Sequence, residues 1–381
     1  MLTLIENGEV YAPEFAGRNS VLLGAGVILK IGAISRQAIE SLHVALNVID
    51  ATDCIVAPGF IDPHEHLLGG SGERGFATQT PELYPSEIVA AGITTVVGCL
   101  GVDTTMKTMP GLLAKAKALK EEGLSAYVWT GGYDVPAKTI TDSARDDIMF
   151  IEEIIGAGEI AVSDERSTDP QALELARLVS DAHNGGMLSN KAGVTHFHVG
   201  DGENRLKLLR KLIDEYDISA EWLYPTHITR SEELMREAIE LAKRGSFVDV
   251  DTVDEDLPKQ FKFYLDNGGL PEKLTVSTDA SITSPSNLLE QIRACVLESK
   301  IPLEQILPCV TANTAKVLKF ECKGKLEAGK DADVLILRRE NLEIRDVLAG
   351  GQRLMKSGRL AFKEKFLKES NRKIELTGEK I

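Results

Sequence analysis

The sequence lacks the features that would place it in a membrane-spanning, secreted or nucleic-acid-binding class. No apolar run reaches the length of roughly 20 residues that a membrane-spanning helix needs. The N-terminal segment has neither the basic flank nor the long apolar core of a signal peptide, so we expect a cytoplasmic location and no membrane association. The net charge of −15 repels phosphate backbones, which argues against a nucleic-acid partner.

Paired cysteines and a nucleotide-binding loop are also missing. The five cysteines are Cys54, Cys99, Cys295, Cys309 and Cys322. They are odd in number, scattered and without C-x-x-C spacing, so we interpret them as reduced, mostly buried thiols and not as a disulfide framework or zinc knuckle. No G-x-G-x-x-G follows the first apolar run, which removes the usual support for a dinucleotide-binding sheet.

Apolar, β-branched runs alternate with amphipathic segments of helical period through the middle of the chain. Leu112–Glu121 and Glu232–Lys243 are typical of these segments, because each carries an apolar stripe among charged residues. This alternation predicts an α/β fold built on a TIM-like (β/α)8 barrel, with an open doubly wound sheet as the main alternative. The eight strand-like runs are Ile55–Ile61, Thr94–Leu100, Ala126–Thr130, Ile160–Ser163, Val194–Val199, Trp222–Ile228, Ser246–Val250 and Leu274–Ser277.

The two ends of the chain have a different pattern. Short β-like pieces with turns between them, such as Val27–Ile31 and Val334–Leu337, occur at both ends. We predict that residues 1–54 and 327–381 combine into one small β-sandwich domain beside a barrel of residues 55–326. The last residues, from about Glu369, are predicted to form a frayed helix or a tail.

Histidine is scarce, and most of it falls at the ends of the predicted strands. Five of the seven histidines lie there, namely His64, His66, His196, His198 and His227. Asp279 ends the eighth run in the same way. Strand ends meet at one rim of a barrel, and the two rings of a His-x-His pair point to one face of a strand. Converging imidazoles and carboxylates predict a hydrolytic metal site. A surface strand with solvated histidines and a helix N-cap at Asp279 are the alternatives.

These motifs resemble the amidohydrolase superfamily. The resemblance starts with Pro58-Gly59-Phe60-Ile61-Asp62-Pro63-His64-Glu65-His66, and the strand-end residues and the return Gly324–Asp333 extend it. Within the superfamily, the chain is similar to the isoaspartyl dipeptidase family, and the two ends and the matching stretches together cover nearly the whole chain. The stretches are Leu67–Glu73, Thr130–Pro136, Ser163–Ser167, Phe197–Asp201 and Pro225–Arg230.

The resemblance implies a metallo-dipeptidase with two metal ions per subunit, and zinc is expected for nitrogen and oxygen ligands. His64 and His66 would bind the first ion together with Asp279. The second ion would be bound by His198 and His227, and His196 would be structural. Relatives also imply a homo-oligomer.

One position departs from the pattern of the superfamily. Many members bridge the two ions with a lysine carbamylated by CO2, whereas the matching residue here is Glu159. No lysine lies between Lys138 and Lys191 to replace it. We predict that Glu159 bridges the ions directly, although the fourth predicted run starts only after it. Asp164 is the fallback ligand, and a single or weakly held second metal is the competing outcome.

The resemblance also implies the substrate and its ligands. Metal-bound hydroxide would hydrolyse β-aspartyl dipeptides, with Asp279 as the proton shuttle and Tyr133 polarising the scissile carbonyl. The other implied contacts are Glu73 to the α-amino group, Arg230 to an α-carboxylate, Arg166 to the other end of the dipeptide, and Thr283 to the carboxylate.

Alternatives stay open for each of these assignments. Glu73 and Arg230 could be surface charges, Tyr133 a rim aromatic, and Arg166 a structural partner of Asp164 or Asp169. The activity could instead be that of a cyclic imide hydrolase or a deacetylase, or the chain could be a non-catalytic scaffold homologue.

Overall fold

The computed structural model describes residues 1–70, 72–254 and 256–370, and it contains a parallel barrel and a second, mostly antiparallel sheet. Six barrel strands form one parallel sheet and two form another, and a bridge between Glu65 and Ala280 joins the eighth strand to the first. The predicted TIM-like barrel is therefore confirmed. Its strands are Phe60–Glu65, Ile93–Gly98, Ser125–Thr130, Ile154–Val162, Thr195–Val199, Leu223–Thr226, Val248–Asp251 and Leu274–Ser277.

A helix follows each barrel strand, and its apolar side shares one core with the outward-facing strand residues. These helices are Pro85–Ala90, Met109–Glu121, Ala144–Phe150, Ala172–Ser189, Lys207–Glu215, Glu232–Lys243, Leu257–Asp266 and Asn287–Arg293. Ser231 shows how the sequence starts one of them: its hydroxyl accepts a hydrogen bond from the Leu234 amide at 3.1 Å. Shorter helical segments are Arg36–Glu40, Ala294–Glu298, Leu303–Ile306, Ala312–Val317 and Phe366–Glu369. Within the described ranges, no helix is both long and apolar enough to cross a bilayer.

The second sheet takes its nine strands from both ends of the chain. They are Leu2–Tyr11, Phe15–Gly24, Val27–Gly32, Leu46–Asp50, Cys54–Pro58, Val334–Arg338, Ile344–Ala349, Gln352–Lys356 and Arg359–Leu360. The predicted small β domain is thus present as a sheet. Its exact limits stay a prediction, and residues 371–381 of the predicted tail lie outside the described residues.

The first predicted run, Ile55–Ile61, is wrong as a single strand. Cys54–Pro58 pairs with Val334–Arg338 in the second sheet, and only Phe60–Glu65 belongs to the barrel. Gly59 lies between the two strands. The backbone passes close to Thr94 here, and a Cβ at this position would lie 2.2 Å from Oγ1 of Thr94. Apolar periodicity continues through this change of sheet, so the pattern alone does not show it.

The fourth predicted run is wrong at its start, and the error concerns the candidate bridging residue. The strand is Ile154–Val162, so Glu159 lies within it and Asp164 lies beyond its end. Ala157 pairs with Thr195 and Ile160 with Phe197, which leaves one extra residue on the fourth strand. This β-bulge carries Glu159, and bulges commonly redirect a side chain beside an active site.

A buried carboxylate ties the last three barrel strands together below the rim. Asp249 accepts hydrogen bonds from the hydroxyls of Thr226 at 2.8 Å and Ser277 at 2.6 Å, and from that of Thr275 at 2.5 Å. These donors lie on the sixth and eighth strands, on either side of Asp249. The network fixes the mutual position of strands that end in His227 and Asp279.

Candidate active site

The strand-end residues converge on one buried cluster at the rim of the barrel. His64 lies in the first strand and His66 directly follows it; their Nε2 atoms lie 3.4 and 3.0 Å from Oδ1 of Asp279. No helix starts at Asp279; the next one starts at Asn287 with Ser286 as its N-cap residue, so the N-cap alternative is wrong. The structure therefore brings together the three residues expected at the first ion.

Glu159 occupies the centre of the cluster. Its Oε1 atom lies 2.7 Å from Nδ1 of His198 and 3.4 Å from Nε2 of His227. Its Oε2 atom lies 3.3 Å from Nε2 of His64 and 3.8 Å from that of His66. One carboxylate thus reaches the expected ligands of both ions.

The charge state of Glu159 suits this position. Burial alone would raise the pKa of its carboxyl, but the imidazoles of His64 and His198 outweigh burial and hold that pKa well below its usual value. The same balance holds at Asp279, whose pKa is lowered by His64 and His66 against the effect of burial. Both side chains are therefore carboxylates and can act as ligands at neutral pH.

The buried cluster fits divalent cations. Both ring nitrogens of His64 and Oε2 of Glu159 are buried and lack a hydrogen-bond partner among the described residues. Such groups are rare in native structures and call for a ligand. Three donor sets have atoms within 4.8 Å of one another: His64, His66, Cys99 and Glu159; His64, His227 and Asp279; and Glu159, His198 and His227. Imidazole and carboxylate donors of this kind suit zinc and its neighbours in the first transition row.

His227 has a partner that the sequence analysis did not identify. Asp251 ends the seventh strand, and its Oδ2 atom lies 2.8 Å from Nδ1 of His227. A carboxylate behind a ligand imidazole orients the ring and increases its basicity. Burial would lower the pKa of His227, yet Asp251 raises it to about 9. The position of Asp251 at a strand end was the available signal.

Two of the candidate ligands have unusual backbone angles. His227 and Asp279 adopt φ values of 59° and 50°, in the left-handed region that costs most residues energy. Strained residues of this kind cluster at functional sites, where the surrounding structure holds them. Here the amide of Asp279 donates to the carbonyl of His64 at 3.1 Å, which anchors the strained turn to the first strand.

Tyr133 lies beside the donor set of Glu159, His198 and His227. Its hydroxyl is 2.7 Å from Nδ1 of His198, and its side chain is buried. Burial and the nearby Glu159 carboxylate raise the pKa of the phenol well above its usual value, although Arg166 acts in the opposite direction. The phenol therefore keeps its proton and is available as a hydrogen-bond donor.

Each charged residue expected to bind substrate forms an ion pair in this structure. Arg166 binds Asp164 through two hydrogen bonds, of 2.8 and 2.7 Å, and donates to Glu73 at 2.7 Å. The structural pairing with Asp164 is thus present. Asp164 also lies 2.9 Å from Nε2 of His198. Arg230 donates to Asp201 at 3.0 Å.

A cavity of about 210 Å³ opens above the cluster. Its lining includes His66, Glu73, Tyr133, Arg166, Arg230 and Asp279. Thr283 is not among its lining residues, and its hydroxyl oxygen is buried without a partner in the described part of the chain. Lys107, which the sequence analysis did not select, lines the cavity with a buried ammonium that also lacks a partner there.

His196 belongs to none of the donor sets. Its Nδ1 atom lies 2.9 Å from the carbonyl oxygen of Tyr224, and its ring stacks on Trp129 at 5.3 Å. Burial and the neighbouring His64 hold its pKa well below the usual value. This neutral ring packs beneath the ligands, in agreement with the structural role expected for it.

Comparison with known proteins places this geometry in a family. The chain is 38% identical to the β-aspartyl dipeptidase of Fervidobacterium islandicum AW-1, with a TM-score of 0.91 over 95% of this chain and 99% of that one. The chain belongs to the β-aspartyl dipeptidase family. A second structure of that enzyme, in complex with the dipeptide β-Asp-Leu, aligns with 37% identity and a TM-score of 0.90, covering 95% of this chain and 98% of that one.

Wider comparisons agree with membership of the amidohydrolases. The model of the amidohydrolase family matches residues 260–354. Among characterised proteins, adenine deaminase 2 of Agrobacterium fabrum is 25% identical over an alignment of 344 residues that covers 87% of this chain. The chain spans only 53% of the length of that deaminase. Imidazolonepropionase of Bacillus velezensis is 25% identical over 80% of both proteins.

Proposed function

We propose that this protein is a metal-dependent dipeptidase that hydrolyses the side-chain-linked peptide bond of β-aspartyl dipeptides. The cavity carries the proposal, because it places Glu73, Arg166 and Arg230 above a cluster of histidines and carboxylates. The similarity to the Fervidobacterium islandicum enzyme, which has been seen with β-Asp-Leu, supports the same substrate class.

We assign the metal ligands as the family resemblance implies, among residues that all belong to the donor sets. His64, His66 and Asp279 would hold one zinc ion, His198 and His227 the other, and Glu159 would bridge them. Bound divalent cations supply Lewis acidity and lower the pKa of water toward about 7. Two ions and the identity of zinc both belong to this proposal.

The protein side chains would perform the remaining steps. Tyr133, a protonated phenol, would donate a hydrogen bond to the carbonyl oxygen as it gains negative charge. Asp279, held as a carboxylate, would accept the proton of the attacking water and deliver it to the departing amine.

Selection for the β linkage follows from the charges that an aspartyl residue keeps. In a β-linked dipeptide, the aspartyl Cα carries both a free ammonium and a free carboxylate, whereas in the α-linked isomer that carboxylate is consumed in the peptide bond. Glu73 would bind the ammonium and Arg230 the carboxylate. Since Glu73 is paired with Arg166 in this structure, the substrate ammonium would replace one guanidinium hydrogen bond.

The test compares purified protein on β-Asp-Leu, α-Asp-Leu and a hydantoin ring, before and after removal of metal by a chelator. We expect release of leucine from β-Asp-Leu alone, loss of activity with the chelator, and recovery with zinc. Equal cleavage of α-Asp-Leu would refute the proposed selectivity. Preferential opening of the ring would support a cyclic imide hydrolase, and a metal-free protein inactive on all three substrates would support the scaffold alternative.

A further inference from the structure

One cysteine differs from the others because it contacts the candidate metal ligands. Cys99 directly follows the second barrel strand, and its amide donates to the carbonyl of Glu65 at 3.0 Å. This bond places it beside the His-x-His pair. Its side chain is buried, with Sγ 3.6 Å from Nδ1 and 4.0 Å from Nε2 of His66.

Cys99 completes a set of four donors. One donor atom from each of His64, His66, Cys99 and Glu159 lies within 4.8 Å of the other three. Within this set, both ring nitrogens of His64 and Oε2 of Glu159 are buried without a hydrogen-bond partner in the described residues. These unpaired atoms indicate, independently of the cysteine, that a cation belongs between these side chains.

The distances are close to those between neighbouring ligands of one zinc ion that has a sulfur ligand. Bond lengths of about 2.3 Å for zinc–sulfur and about 2.1 Å for zinc–nitrogen place the two ligand atoms about 3.6 Å apart at the tetrahedral angle. Nε2 is the ring nitrogen of His66 that faces Asp279 and Glu159, and it lies 4.0 Å from the Sγ of Cys99, so the thiol must move toward Nε2 to bind the same ion. Two ligands of nitrogen or oxygen are about 3.4 Å apart in such a site, and Nε2 of His64 lies 3.3 Å from Oε2 of Glu159.

We propose that Cys99 is a protein ligand of the buried cation on the His64 and His66 side, as a thiolate. This inference rests on the metal centre proposed above. A sulfur donor adds a soft, negatively charged ligand to nitrogen and oxygen, and it favours zinc over harder ions such as Mn²⁺ or Mg²⁺. The contrasting role is that of a small buried filler, with the thiol donating weakly to the Glu65 carbonyl at 3.7 Å.

Spectroscopy of the metal-loaded protein separates these roles. The full-length protein would be loaded with Co²⁺, its metal content measured by mass spectrometry, and its near-ultraviolet absorption recorded. A thiolate ligand gives a strong sulfur-to-cobalt charge-transfer band, which Cys99→Ser should abolish. Cys309→Ser is the matched control, because Cys309 is also fully buried but belongs to none of the donor sets. X-ray absorption of the zinc form should show a sulfur neighbour at about 2.3 Å.

A chelator-competition assay adds a second readout. Loss of a direct ligand should accelerate zinc release by tenfold or more, since loss of even an outer-shell partner weakens metal binding about 10–100-fold. If the metal in wild-type protein has only nitrogen and oxygen neighbours, the role of Cys99 is overturned and the proposed function remains intact. Protein that binds no metal would overturn both. The measurement on wild-type protein decides the question even if Cys99→Ser does not fold.

Discussion

Replacement of Glu159 by glutamine is the most direct test of the candidate metal centre. The change keeps the size and shape of the side chain and removes its negative charge. Glu159 is fully buried, and its two carboxylate oxygens lie 2.7–3.8 Å from nitrogens of four histidines. The amide that replaces it would present a neutral group to both expected cations.

The size of the effect follows from the distances. Two unit charges about 4 Å apart in a medium with an effective dielectric constant of about 20 interact by about 4 kcal/mol. A cation held by these imidazoles would lose at least an interaction of that order when the charge is removed. Since each 1.4 kcal/mol corresponds to a factor of ten, we expect the affinity for the less tightly held ion to fall about a thousandfold.

The assay is a metal count on protein purified without chelator and then dialysed against metal-free buffer. Wild-type protein should retain about two zinc ions per chain, and Glu159→Gln one or none, with a fall in kcat/KM for β-Asp-Leu of about a thousandfold. Glu153→Gln is the matched control, because Glu153 is also buried but contacts Lys117 and Lys120 and none of the candidate ligands. It should keep the wild-type metal count. Two ions in Glu159→Gln, with activity close to wild type, would refute the bridging role.

Four further predictions concern residues around the cluster. Tyr133→Phe should lower kcat by about 10²–10³-fold with little change in KM, because the phenol acts on the developing oxyanion; an unchanged kcat in steady-state kinetics would remove that role. Arg230→Gln should lower kcat/KM for β-Asp-Leu at least tenfold, since it removes a charged hydrogen bond of about 1.5–3 kcal/mol, and should leave the metal count unchanged. In metal-free protein, His227 has a pKa raised to about 9. The stabilisation from protonated His227 is fully present below its usual pKa of about 6.5 and is lost as pH rises through about 9. The free energy of unfolding measured with urea should therefore fall by about 3 kcal/mol over this pH range. Asp251→Asn should make this fall smaller. Lys107→Met should raise the urea midpoint by the equivalent of about 1 kcal/mol, because a buried ammonium without a partner among the described residues is costly; a lower midpoint would show that Lys107 has a stabilising partner.

The sequence predicted the barrel well because the burial of each strand determines the pattern of its own residues. Strands buried on both faces read as continuous apolar runs, and the residue that ends each run marks the rim. His64, His66, His198, His227 and Asp279 were found in this way, and the structure brings them together. The resemblance then added Glu159, Tyr133 and the charged residues that line the cavity.

Residues whose position depends on pairing between strands were harder to find. The bulge at Glu159 arises because the fourth strand has one more residue than the fifth between the two paired positions on either side of it. The sequence of the fourth strand alone does not show this difference. Asp251 and Cys99 were hard to identify for the same reason. Each lies at or directly after a strand end, but its importance depends on the histidine ring beside it, which follows a neighbouring strand.

The bulge also explains how a glutamate can occupy the position where the superfamily resemblance implies a carbamylated lysine. A glutamate side chain is shorter, so the backbone must bring it closer to the candidate metal positions. Gly158 allows this approach: a Cβ there would lie 2.7 Å from the carbonyl oxygen of His196, so only glycine lets the fourth strand press against the fifth at this point. The extra residue then turns Glu159 into the barrel, where its oxygens reach both histidine pairs. Glycine, bulge and glutamate thus act as one unit, and the chain needs no CO2-derived group to place a carboxylate between the two candidate metal positions.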